Sequence, residues 1–131
     1  MQLPEHITEI LILLLLIITF GQSGIDKITD WKGNVSFLND HFSKTIFKGI
    51  VPMVLAVVLV MEIAATIIMI VGAYMLFTSN DGTMALYGLV LSALTLLALL
   101  FGQRIAKDYV GAMTLVVYYI PTILGIYLLT K

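Results

Sequence analysis

The stretch from Ile50 to Phe77 reads IVPMVLAVVLVMEIAATIIMIVGAYMLF, almost wholly apolar, with a single acid, Glu62, near its centre. As a helix it would measure roughly 42 Å, enough to cross a bilayer with tilt. A carboxyl at that depth is costly in lipid, so it has to face a protein interior, a cavity or a partner.

The rest of the chain has the same character. Of 131 residues, 60% are hydrophobic and 11% charged, and mean hydropathy is +1.07. A soluble domain would carry about a quarter charged residues. Here the charges sit in a few short stretches with long uncharged runs between them, the pattern of a polytopic membrane protein in contact with the lipid bilayer. A net charge of −1 does not point to nucleic acid. With no cysteine, disulfides, thiolate metal sites and thiol relays within this chain are excluded.

The fold class expected is all-α: an integral membrane four-helix up-down bundle, with one short amphipathic interfacial helix in the first loop. The spans are expected at about 7–26, 50–77, 83–103 and 109–129, in a single domain over 1–131. The N-terminus lacks the basic flank of a signal peptide, so the first run is read as a retained span. Within 36–48, Phe37, Leu38, Phe42, Ile46 and Phe47 can share one helical face opposite Asn39, Asp40, Ser43 and Lys44, which predicts the interfacial helix. Thr78-Ser79-Asn80-Asp81-Gly82 is a turn, and Pro121 sits inside the last span, where it frees a carbonyl one turn earlier and is expected to kink the helix.

Lys27, Lys32, Lys44, Lys48, Arg104 and Lys107 all fall in the first and third loops, and only Lys131 lies on the other side. The positive-inside rule then puts loops 1 and 3 in the cytoplasm and both termini outside.

Counting depth from the charged loops places Glu62 about eleven residues, or roughly 16 Å, into its span. Tyr118 and Tyr119 on the fourth span and Ser92 on the third come out at similar depth, which predicts a polar layer near the midplane. Gln22 and Asp26, at i and i+4, with Lys27 and Arg104, make a shallower polar set opening towards the loops, with Glu62 at its floor. Two readings of Glu62 stay open: a neutral carboxyl donating one hydrogen bond between helices, or a ligand- or proton-handling group. Whether it is ionised depends on how near Lys27 or Arg104 comes. His6 and His41 read as isolated surface residues, and no metal-ligand cluster is visible.

Phe20-Gly21-Gln22-Ser23-Gly24-Ile25-Asp26-Lys27-Ile28 ends the first span, and Glu62 is followed by Gly72 on the second. Together these resemble the DoxX family of small four-helix membrane proteins, whose first helix ends in a small-residue Gly-x-x-Lys and whose second carries a Glu with a later Gly. Gly24, Lys27, Glu62 and Gly72 are the matching positions. The chain departs from the family early in helix one, where an Arg is common and this sequence has Thr8 and Glu9. The resemblance implies a bacterial inner-membrane protein, sometimes tied to quinone-linked redox chemistry, with no catalytic activity of its own assured.

These observations support a membrane accessory protein or subunit that binds a hydrophobic ligand, a quinone or a lipid, around Glu62. A protonatable carboxyl beside tyrosines suits a quinone oxygen. No flavin or metal site is recognisable in the sequence, so electron transfer would call for a protein partner. The alternatives are a non-enzymatic scaffold within a larger membrane complex and, ranked last, a small proton-coupled carrier acting as an oligomer; the partner expected is a membrane protein or a second copy in a homo-oligomer.

Overall fold

The computed structural model describes residues 6–131. It is all-helical: α1 Ile7–Thr29, α2 Trp31–His41, α3 Val51–Ser79, α4 Thr83–Ile105 and α5 Tyr109–Thr130. All but α2 are long and apolar enough to cross a membrane, which makes this an integral membrane protein by length and composition. Their outward faces are apolar too: Ile18, Val60, Ile67, Val110, Val117 and Ile120 are all exposed. In water such a surface would aggregate, whereas in a bilayer it meets lipid tails.

Lipid tails give helices no hydrophobic reason to associate, so close packing has to hold the bundle together. The buried residues of α3 run Val51, Leu55, Val58, Glu62, Ala65, Met69, Gly72 and Leu76, alternating steps of four and three. That seam faces α1 on one side and α4 on the other. A Cβ built on Gly72 would collide with the backbone of Ala85, and one on Gly88 would stand 3.1 Å from the Met69 nitrogen, so these glycines bring α3 and α4 into backbone contact. On α1, Gly21 faces Thr66 and Gly24 faces Ile63, which runs α1 antiparallel to α3. Gly125 of α5 packs on Leu89 and Ile12. Leu13, Leu16, Phe20, Met69 and Leu89 fill the centre.

The short connections are set by local chemistry. Asn80 takes a left-handed conformation (φ 54°) to end α3, a position Asn tolerates through its short polar side chain. Asp81 then accepts a hydrogen bond from the Thr83 amide at 3.0 Å, which satisfies a free donor at the start of α4. Asp108 does the same for α5 through Gly111, also at 3.0 Å. α5 continues through Pro121, which has no N–H to offer the Val117 carbonyl.

The first loop departs from expectation. Its helix is Trp31–His41 and none of its residues is buried; 42–50 is a string of turns. The helical face drawn through Ile46 and Phe47 therefore does not form. Thr45 explains the stop: its hydroxyl donates to the Phe42 carbonyl at 2.9 Å and accepts from the Phe47 amide at 3.1 Å, a local turn that competes with helix. Gly49, at φ +86°, then redirects the chain into α3.

Candidate functional site

Lys27 lies in the last turn of α1, and its Nζ stands 3.1 Å and 3.3 Å from the two carboxylate oxygens of Glu62 on α3. Side chains lean towards the N-terminus of their own helix. Because α1 and α3 are antiparallel, Lys27 leans into the bundle and Glu62 leans towards the loop side, and the two meet. Ser23, one turn earlier on α1, accepts a further hydrogen bond from Lys27 at 2.6 Å. Glu62 is 1% exposed and the Lys27 side chain 14%. Removing two such groups from water is compensated only by good geometry and satisfied lone pairs, which this arrangement provides. Next to the pair, the Thr66 hydroxyl donates to the Glu62 backbone carbonyl at 2.7 Å.

On the loop side of the pair lies a cavity of about 260 Å³, with Lys27 in its wall. Leu55, Val58, Leu99 and Leu115 form its sides, while Phe37, Phe42 and Phe47 cover it from the first loop. These rings belong to a continuous aromatic series: Phe37 stacks on His41, His41 meets Phe42 edge-on, Phe42 meets Phe47, and Phe47 meets Phe101 of α4. His41 Nε2 is 2.8 Å from Gln103 Oε1 and 3.6 Å from Asp108 Oδ2, which fastens the end of α2 to the α4–α5 connection. The volume falls just under the roughly 300–1,000 Å³ of drug-sized ligand pockets, so it suits a small apolar group.

Of the residues singled out by sequence, Lys27 and Glu62 meet; the others lie elsewhere. Gln22 and Asp26 do share a face of α1, but it is an exposed one. Arg104 is exposed and lies over the Tyr109 ring at 4.6 Å. Tyr118 and Tyr119 are half-buried and pack against the hydrophobic core. Ser92 is buried but bonds to the Gly88 carbonyl at 2.8 Å and Met69 Sδ at 3.3 Å, well beyond Glu62 along α3.

The depth count failed for Ser92 because α3 has 29 residues and α4 has 23. The pair is aligned at its turn end, by Gly72 on Ala85 and Met69 on Gly88. Carried along both helices, that register puts Thr95 at the level of Glu62. Thr95 is fully buried and bonds to the Leu91 carbonyl at 2.8 Å.

Sequence reasoning also passed over Ser23, although its i−4 spacing from Lys27 was a usable signal. His41 is paired rather than isolated, and so is His6, whose Nδ1 is 2.7 Å from Glu9 Oε2. Nothing local foretold the His41–Gln103 contact, which spans 62 positions.

Comparison of the chain with protein-family models, curated proteins and solved structures found no match.

Proposed function

We propose that this chain is a DoxX-like protein of the bacterial inner membrane, an accessory or subunit component of a quinone-linked redox system, that binds a hydrophobic ligand beside Lys27 and Glu62. The observation that carries this reading is the buried Lys27–Glu62 pair bordering an apolar cavity. Ionisable side chains within spanning helices are expensive and mark ligand or ion sites. The four positions of the family resemblance are each engaged in this chain: Lys27 binds Glu62, Gly24 packs on Ile63, and Gly72 admits Ala85. Loops 1 and 3 are assigned to the cytoplasm on the strength of their basic residues.

The test is native mass spectrometry of the protein extracted gently from its own membrane, beside a Leu55→Trp variant that fills the cavity. The expected result is a retained small apolar molecule in the parent protein and none in the variant. A bare parent protein, or one retaining the molecule equally after Leu55→Trp, would overturn the ligand-binding reading. Co-purification with a redox enzyme is the expected second observation, and a parent protein that isolates alone would argue against the subunit role.

A further inference from the structure

A lysine in the wall of an apolar membrane cavity is, by itself, a receptor for an organic acid. Here the lysine is already matched. Its ammonium has three N–H donors; Ser23 Oγ takes one, and the Glu62 carboxylate sits across its two oxygens at 3.1 and 3.3 Å. Lys27 is the one ionisable residue in the cavity wall among the described residues, and with Glu62 it forms a unit of zero net charge.

The two amides in the wall are turned to neighbours, with Gln103 Nε2 lying against Gly111. The Asn34 amide donates to the Asp30 carbonyl at 2.8 Å, and Gln103 Oε1 faces His41 at 2.8 Å. Phe37, Phe42, Phe47 and Val58 offer no hydrogen-bond donor to an anion. A second carboxylate entering this space would share one cation with Glu62, and like charges in a low-dielectric site are strongly unfavourable.

We propose that the cavity beneath α2 accepts electroneutral apolar molecules and rejects organic carboxylates, with Glu62 as the residue that sets this preference by neutralising Lys27. This rests on the ligand-binding reading above and specifies its substrate class. Loss of Glu62 would leave an uncompensated ammonium in the wall and turn the same cavity into a carboxylate site.

Two probes of one shape test it: 2-acetylnaphthalene, which is neutral, and 2-naphthoate, which is ionised at pH ~7.5, far above ordinary carboxyl pKa values of about 4. Uptake is measured by equilibrium dialysis on the full chain in phosphatidylcholine nanodiscs, with empty discs subtracted. The expected result is a preference of more than tenfold for the ketone in the parent protein, falling at least tenfold in Glu62→Gln. Equal binding of the two probes by the parent protein would overturn the charge selection while leaving the cavity a binding site. No uptake of either probe above empty discs would overturn the ligand-binding reading itself. If Glu62→Gln does not fold, the double variant Lys27→Met/Glu62→Gln replaces it. That neutral wall is expected to keep the ketone preference, and a switch to naphthoate there would overturn the assignment to the pair.

Discussion

The Lys27 ammonium of α1 is held between Ser23 Oγ at 2.6 Å and the Glu62 carboxylate of α3 at 3.1 Å, deep enough that Glu62 is 1% exposed. Removing one partner of such a pair leaves a buried charge with no counter-ion, which costs about 3–5 kcal/mol. Lys27→Met is expected to destabilise the protein by that order, and Lys27→Met/Glu62→Leu to recover most of the loss. Unfolding curves in mild detergent measure both. With Glu62→Leu measured as well, single-variant losses that add up to the loss of the double variant would show that the two residues are not energetically coupled.

The two resemblance glycines should behave differently. A Cβ at Gly72 runs into the Ala85 backbone, which cannot give as a side-chain tip would. Gly72→Ala is therefore expected to cost roughly 1–3 kcal/mol by forcing α3 and α4 apart. At Gly24 the nearest atom is Ile63 Cγ1 at 3.6 Å, an ordinary contact. Gly24→Ala should be neutral, or stabilising by up to about 1 kcal/mol through helix propensity. The same unfolding assay ranks them, and a Gly72→Ala protein as stable as its parent would contradict the close α3–α4 approach.

Asp81 brings a pH dependence to the α3–α4 turn. Hydrogen bonds from Thr83 hold its carboxyl below the ordinary value of 3.8. A carboxyl lowered by folding contributes stability that is fully present above its unfolded pKa and is lost as pH falls through the folded one. Asp81 should therefore contribute nothing to pH dependence near neutrality and should weaken the turn below about pH 4. Melting temperatures of parent and Asp81→Asn should converge as pH drops from 6 to 2. Curves that stay parallel would remove Asp81 from the acid response.

His41 fastens α2 to the α4–α5 connection through Gln103. His41→Phe keeps a ring against Phe37 but loses the hydrogen bond, a local cost of about 0.5–1.5 kcal/mol. Amide exchange should quicken across residues 31–50 by up to roughly tenfold, with the centres of α3 and α4 unchanged. Unchanged protection over 31–50 would show that the aromatic series alone holds the cover in place.

Much of this protein is readable one segment at a time. Hydropathy acts residue by residue against lipid, so the four apolar runs, their separating turns and the misfit of Glu62 within one of them need no tertiary information. The three-four spacing of Glu62, Ala65, Met69 and Gly72 is likewise visible in the sequence, and small residues at that spacing permit close helix approach. Which polar groups meet across helices is a different kind of fact. It depends on the register set by Gly72 on Ala85, the opposite directions of α1 and α3, and the rotation that turns Lys27 inwards while leaving Gln22 and Asp26 outside. Those relations join residues far apart in the chain, and composition is silent about them. The sequence therefore determined that a buried carboxyl in a membrane helix must find a partner, and only the tertiary structure decided that the partner is Lys27.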